Sequence, residues 1–259
     1  MSALQYAASD TLVLAKRNLA RIPRAPDLLI SYTVQPIMFV LLFVYVFGGA
    51  IELPPQFGDY TDFLMPGIVV QTMAFGGFVT AIGLSEDLRK GLIDRFRSLP
   101  IARSAVLAGR TISDIALNLL SIVIMMGVGL LVGFTFEANV LEILAGVGIL
   151  LLFGYAWSWF FALMGLTASS SESAQAMGFI VIFPLTFASS AFVPPESMPA
   201  GLQAFAEANP FSTVTDAIRA LWLDLPAHTD IWMSVVWSVG LILVLAPLAA
   251  SRYRKATHR

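Results

Sequence analysis

Residues 143–166 read ILAGVGILLLFGYAWSWFFALMGL, an apolar run without a charged side chain or a proline. A helix rises about 1.5 Å per residue, so this run can cross the roughly 30 Å of hydrocarbon in a bilayer, and it is longer than a buried helix of a soluble protein needs to be. Apolar side chains cover every side of it, which suits a helix surrounded by lipid and other helices rather than one with a face in water. Stretches of the same kind lie on either side, at 28–49, 63–84, 115–134, 174–193 and 231–250. The pattern predicts an all-α polytopic membrane protein with six transmembrane helices. The third is expected to start as a helix near Ala105, with Arg110 and Asp114 paired one turn apart.

Composition agrees with this reading. Of 259 residues, 58% are apolar and 12% charged, and the mean hydropathy is +0.80. Soluble domains carry about 25% charge, so a water-soluble fold of this length is excluded. The chain has no cysteine, which removes disulfides, thiolate metal sites and cysteine nucleophiles together. Its two histidines, His228 and His258, lie outside the apolar runs.

Orientation follows from the basic residues. Every Lys and Arg except Arg219 falls before the first stretch, between the second and third, or after the sixth. Six crossings put those segments on one side, which the basic bias assigns to the cytoplasm together with both termini. The opposite loops carry acids: Glu52, Asp59, Glu137, Glu142, Glu196, Glu207, Asp224 and Asp230. The first stretch is too long for a cleavable signal and lacks a small-residue cleavage site after it.

Three segments are amphipathic rather than spanning. Over 1–25, Leu4, Ala8, Leu12, Ala15, Leu19 and Ile22 recur at helical spacing while Arg17, Arg21 and Arg24 lie off that face. This predicts a helix in the membrane interface, basic side toward lipid phosphates, serving as an anchor or as a surface for a soluble partner. Over 85–100, SEDLRKGLIDRFRSLP continues a stripe of Leu84, Leu88, Leu92, Phe96 and Leu99 through charged neighbours, a pattern that favours docking over a solvated loop. Over 194–230, two short helices are expected on the outer side as re-entrant or capping pieces. One begins at Pro199, and the other is marked by Thr213 and Asp216 at capping-box spacing. Arg219 is expected to pair with Asp216 or another nearby acid.

Several chemistries are missing. No GxxxxGK[ST] loop is present, so ATP-driven work would need an ATPase on another chain. No HExxH motif and no intramembrane histidine exist, which removes zinc-protease and Ser–His chemistry. Ser169, Ser170, Ser171, Ser189 and Ser190 read as packing and capping residues. The central parts of the six stretches hold no ionisable group, which counts against a proton- or sodium-driven carrier. Gln35, Gln71, Asn118 and Gln175 are their polar residues. Gly129 with Gly133, and Gly76 and Gly77 with Ala81, read as close helix-packing positions. Pro184 can break the fifth helix just before Thr186, Phe187, Ser189 and Ser190.

Six pieces in fixed order also resemble a known family. They are RIPRAPDLL at 21–29, VFGG at 46–49, YTDFLMPGIVVQ at 60–71, GLIDRFRSLPIARSAVLAGR at 91–110, FPLTFASSAFVPPESMP at 183–199 and NPFSTVTDAIRAL at 209–221. Over nearly its whole length the chain resembles an ABC type-2 transporter permease of the daunorubicin-resistance, multidrug-efflux branch. The resemblance implies one transmembrane domain over 1–259 in the bacterial cytoplasmic (inner) membrane. Two such chains, alike or related, would frame the pathway. Separate ATPase subunits would drive it, with no cofactor on this chain and ATP and Mg on the ATPase. It further implies that the 85–100 segment holds a coupling helix, using Leu88, Leu92, Asp94, Arg95 and Phe96, with Arg17 and Arg21 adding to the contact. The pathway, framed by spans one, two and five, would use Gln35, Gln71, Phe75, Thr186, Phe187 and Ser190. The expected cargo is an amphipathic drug or lipid-like compound, and nucleic acid is not an expected partner. A glycolipid or polysaccharide precursor as cargo, a non-transporting membrane assembly protein and a membrane enzyme are the alternatives. The enzyme reading lacks any clustered acid, His or Ser group.

Overall fold

The computed structural model describes residues 26–51, 53, 56–90, 103–226 and 230–256. The expected interfacial helix over 1–25 and most of the amphipathic segment between spans two and three lie outside these residues. All regular structure described is helical. Helix α1 (Pro26–Leu42) continues into a π-helical turn, Phe43–Phe47. Then follow α2 (Tyr60–Phe75), α3 (Phe78–Arg89), α4 (Arg103–Leu131), α5 (Val140–Thr167) and α6 (Ser171–Phe187). A short 3-10 turn at Pro195–Ser197 leads to α7 (Ala200–Glu207), α8 (Pro210–Trp222) and α9 (Asp230–Ala256). Among the described residues, four helical stretches are long and apolar enough to cross a membrane: Tyr60–Arg89, Gly109–Leu131, Val140–Thr167 and Asp230–Lys255. Val34–Phe47 is a shorter apolar helix.

The helix containing the 143–166 run, α5, is the hub of the bundle. It packs against α2, α3, α4, α6, α8 and α9. That explains why no side of it is polar. Its start is fixed by a capping box, in which Asn139 accepts from the backbone of Glu142 and the Glu142 carboxylate accepts from the Asn139 N–H. The most enclosed element is instead α2, which is buried along nearly its whole length. By contrast α9 turns Trp232, Trp237, Leu243 and Val244 outward, as a lipid-facing helix should.

Local details depart from the sequence reading for identifiable reasons. The second apolar stretch runs as one helical span, Tyr60–Arg89, with a turn at Gly76–Gly77 between α2 and α3 at which both glycines keep right-handed helical φ and ψ. Gly133 is not a packing partner of Gly129. It sits at φ +101° just past α4, where the Phe134 N–H returns to the Gly129 carbonyl at 2.9 Å, a left-handed helix stop that glycine adopts without strain. The fifth helix stops at Phe187, short of the expected 193. Helix α8 begins at Pro210 with Asn209 as its cap, so Thr213 and Asp216 are interior positions rather than the start. Arg110 does not bond Asp114. Its guanidinium reaches Asp87 on α3 at 3.0 Å and the Val79 carbonyl at 3.2 Å, while Asp114 accepts from Thr80 Oγ1 at 2.5 Å. Partners on a packed neighbour therefore displace the local one.

Candidate functional site

A cavity of about 690 Å³ opens between α1, α2, α3 and α6. Its size falls in the range of small-molecule sites, roughly 300–1,000 Å³. Gln35 and Phe39 come from α1, Gln71 and Phe75 from α2, Phe78 and Ile82 from α3, and Gln175 and Phe179 from α6. Among the described residues, no ionisable side chain lines it. Its walls therefore offer phenyl faces for an apolar or aromatic body and carboxamides for its polar edges. Each glutamine both donates and accepts, so the site can match carbonyl and hydroxyl groups without charge.

The cavity sits at the turn between α2 and α3. Glycines at 76 and 77 let other helices come against the turn: a Cβ at Gly77 would collide with the Phe161 ring, and one at Gly76 with the Asn118 amide. Lining residues consequently lie on both sides of the turn.

From the cavity an aromatic column leads along α6. Phe75 meets Phe179 edge-on, and Phe179, Phe183 and Phe187 follow one another with ring centres 5.0 and 4.4 Å apart. Phe187 stacks on Phe192 at 5.0 Å, Phe192 on Phe43 at 4.6 Å, and Phe43 meets Phe39 at 6.1 Å, back at the cavity wall. The spacing of Phe179, Phe183 and Phe187 at i, i+4 and i+8 puts them on one side of α6. The π-helical turn at Phe43–Phe47 lies beside this column, and such turns concentrate at functional positions.

Beyond the end of α6 lies a buried polar knot. Arg219 of α8 is 3% exposed. It donates to Asp216 at 2.7 Å, to the Phe63 carbonyl from both Nε and Nη2 at 2.9 and 2.7 Å, and to the Ser190 carbonyl at 2.8 Å. Its guanidinium also lies 3.6 Å from the Phe63 ring centre. Burial lowers the pKa of Arg219, and the adjacent Asp216 opposes that shift. Ser190 Oγ donates to Asp216 at 2.9 Å, and the Asn209 amide caps the Leu185 and Ala188 carbonyls at the end of α6 at 2.6 and 2.8 Å. These bonds tie α2, α6 and α8 together and leave no donor of Arg219 aimed at the cavity.

The expected pathway residues thus divide. Gln35, Gln71 and Phe75 share the cavity wall. Phe187 belongs to the aromatic column. Thr186 is buried and bonds back to the Ile182 carbonyl at 2.8 Å, and Ser190 belongs to the Arg219 knot. Sequence reasoning did not assign Gln175, Phe39, Phe78 and Phe179 to this site. The signal available was the isolated glutamine in apolar α6. Of the expected coupling residues, Leu88 packs at the C-terminal end of α3 against the cluster of Leu84, Leu107 and Trp159. Arg17, Arg21, Leu92, Asp94, Arg95 and Phe96 lie outside the described residues. Among the described residues, no group of three His, Asp or Glu side chains could hold a metal ion.

A helical bundle with several helices long and apolar enough to cross a bilayer defines a class, the multi-pass membrane proteins. Comparison narrows it: residues 9–223 match the ABC-2 type transporter family, and the chain belongs to that family. It is 35% identical over 248 residues to the daunorubicin resistance ABC transporter permease protein DrrB1 of Streptomyces coeruleorubidus, covering 96% of this chain and 87% of that one. It is 26% identical over 252 residues to the probable doxorubicin resistance ABC transporter permease protein DrrC of Mycobacterium tuberculosis, covering 96% and 90%. A putative transport permease, ycf38 of Cyanophora paradoxa, is 26% identical over 215 residues, covering 82% and 74%.

Proposed function

We propose that this chain is the permease subunit of an ATP-driven exporter of amphipathic, drug-like compounds, and that the cavity between α1, α2, α3 and α6 holds the cargo. The observation that carries this reading is the lining: phenyl rings and carboxamides from separate helices, without charge, in a space of drug size. The resistance relatives, named for daunorubicin and doxorubicin, support that cargo class.

In this reading α1, α2 with α3, α4, α5, α6 and α9 are the six spans, and α7 and α8 are outer pieces. Both termini face the cytoplasm, and the membrane is the bacterial inner membrane. A second permease chain, identical or related, covers the open side of the cavity, where α1 exposes Met38 and Leu42 and α6 exposes Ile180 and Phe183. Separate ATPase subunits carry ATP and Mg. They engage the 85–100 segment through Leu88, Leu92, Asp94, Arg95 and Phe96, beside Arg17 and Arg21 of an interfacial helix. Reconstitution with the ATPase in inverted vesicles is the test. ATP-dependent uptake of doxorubicin is expected, and Gln71→Ala and Phe179→Ala should change which compounds move more than how much protein is made. Equal loss of all compounds in step with protein level would assign these residues to folding alone.

A further inference from the structure

We propose that the C-terminal end of α9 is a binding site for an anionic phospholipid, whose acyl chain lies on Val244 and Leu248 and whose phosphate meets Arg252 and Lys255. The proposal rests on the orientation given above, which puts this end of the helix at the cytoplasmic leaflet; the identity of the cargo plays no part in it.

Of the membrane-length helices among the described residues, α9 is the least enclosed: 11% of its apolar stretch is buried, against 39–72% in the others. In a bilayer its outward side therefore meets lipid. Trp237, Val244, Leu248 and Lys255 are all exposed, and they fall at i, i+7, i+11 and i+18. Those intervals are close to two, three and five turns, so the four side chains form one line along the helix. Arg252 is exposed one turn beyond Leu248. At 1.5 Å per residue Lys255 lies about 16 Å from Val244, close to the roughly 15 Å depth of one leaflet's hydrocarbon. An acyl chain that covers Val244 and Leu248 thus ends in a headgroup at the level of Arg252 and Lys255.

The rotation of the last turn is fixed from the other side. Tyr253 is 4% exposed and packs into the cluster of Leu84, Leu107, Trp159 and Ala249. With Tyr253 and Ala249 held inward, Lys255 is turned to the lipid side. Its long stem can lie along Leu248 while the ammonium reaches the headgroups.

Charge makes the site selective. After Asp230 the chain holds no Asp or Glu, whereas 252–259 reads RYRKATHR, with four Lys and Arg. Elsewhere in the bundle Lys90 holds Glu86, Arg110 holds Asp87 and Arg219 holds Asp216. Among the described residues, Arg252 and Lys255 form no ion pair. A basic cluster directly past a spanning helix attracts anionic headgroups, about fivefold in binding per side chain near the surface. A soluble partner would meet this end from the aqueous side and leave Val244 and Leu248 uncovered, whereas a lipid contacts both parts of the line.

The test uses the permease–ATPase complex in vesicles, in the natural cysteine-free background. A bimane fluorophore at Ser251→Cys, beside Leu248 and Lys255, is quenched by chain-brominated lipid. The same fluorophore at Val123→Cys, on the exposed side of α4, is the control. Brominated phosphatidylglycerol is compared with brominated phosphatidylcholine at equal mole fraction and low salt. Because the zwitterionic lipid also carries a phosphate, the expected preference for phosphatidylglycerol at 251 is about fivefold, less than two full charges would give, and near one at 123. Arg252→Gln with Lys255→Gln should bring the preference at 251 to near one, and the charge-conserving pair Arg252→Lys with Lys255→Arg should keep it. If the glutamine pair does not insert, Lys255→Gln alone, with an expected loss of about twofold, replaces it. Equal preference at both positions, or an unchanged preference in the glutamine pair, would overturn the site. Displacement by inorganic phosphate at matched ionic strength would make it a site for free anions, and efficient disulfide formation between two Leu248→Cys chains would give the face to a second copy; either result overturns the proposal. Accessibility of Lys90→Cys to an impermeant reagent tests the orientation independently, so failure of the lipid site and failure of the orientation are separate results.

Discussion

The guanidinium of Arg219 lies 3.6 Å above the centre of the Phe63 ring and also bonds the Phe63 backbone carbonyl, so one cation grips both the side chain and the main chain of a single residue on α2. The remaining donors reach Asp216 and the Ser190 carbonyl. Planarity and a fork of donors make this possible, and lysine has neither.

Replacing Arg219 should accordingly destabilise the bundle whatever the substitute. Arg219→Ala removes the donors that the buried Phe63 and Ser190 carbonyls take from the guanidinium and leaves Asp216 without its cation, and about 3–5 kcal/mol is the expected loss for breaking such a buried arrangement. Arg219→Lys should rescue little of it. Asp216→Asn should cost less, about 1–3 kcal/mol, because it leaves the buried Arg219 cation without its carboxylate but keeps its bonds to the Phe63 and Ser190 carbonyls. Thermal unfolding of the purified protein in detergent would check the order; equal effects of Asp216→Asn and Arg219→Ala would contradict it.

A second prediction concerns sidedness. Thr135 N–H donates to Asp62 and Glu137 N–H to the Trp222 carbonyl, which puts the start of α2, the α4–α5 loop and the end of α8 at one end of the bundle. The opposite end of the α2–α3 stretch carries Arg89 and Lys90. Single cysteines at Gly58, Ala138 and Ala200 should react with an impermeant thiol reagent in intact cells, and cysteines at Lys90 and Ser170 should not. Labelling of Lys90→Cys from outside would reverse the proposed orientation.

Coupling gives a third. At the C-terminal end of α3, Leu84 is buried and Leu88 half-buried against the cluster that holds Leu107 and Trp159. If the stripe continues through Leu92 and Phe96 into an ATPase groove, Phe96→Ala removes about 1.5–3 kcal/mol of apolar burial from that contact. The variant should insert normally, co-purify with less ATPase and export poorly. Full association and transport would make the segment a solvated loop.

What the sequence could reveal tracks the range of the interactions involved. The apolar stretches were legible because hydropathy is local, and α5 and α9 fall where the stretches at 143–166 and 231–250 lie. The Arg219–Asp216 pair was legible as an i, i+3 contact on one helix. Arg110 was misassigned because Asp87, on a neighbouring helix, outcompetes Asp114 one turn away. The end of α6 was misplaced because 188–193 is as apolar as a span, and it leaves the helix only through long-range bonds from Asn209 and Arg219. The Gly76–Gly77 pair was legible as a close-packing position, and Asn118 and Phe161 do press against it, whereas the turn there had no sequence signal. Gln175 could not be joined to Gln35 and Gln71 from periodicity, because only the packing of α1, α2 and α6 brings them to one wall.

That wall supports the final prediction, which concerns charge. Among the described residues the cavity presents carboxamides and phenyl faces but no ionisable group, so a cationic compound finds ring faces and amide oxygens, with no counter-charge, to offset its lost hydration. Gln175 lines the cavity and is itself exposed, so a carboxylate there remains partly solvated and the helix can tolerate it. Gln175→Glu should therefore favour cationic over neutral cargo. A single screened charge near the ligand, contributing about 1 kcal/mol, amounts to roughly fivefold in relative export of a permanently cationic dye against a neutral aromatic of similar size. Raising the salt concentration should shrink the preference, because partly exposed charges are screened. Gln175→Leu should instead lower export of compounds with hydroxyl or carbonyl edges. Transport ratios in vesicles, normalised to permease content, are the measurement. Identical ratios for the native chain and Gln175→Glu would remove α6 from the cargo-binding wall.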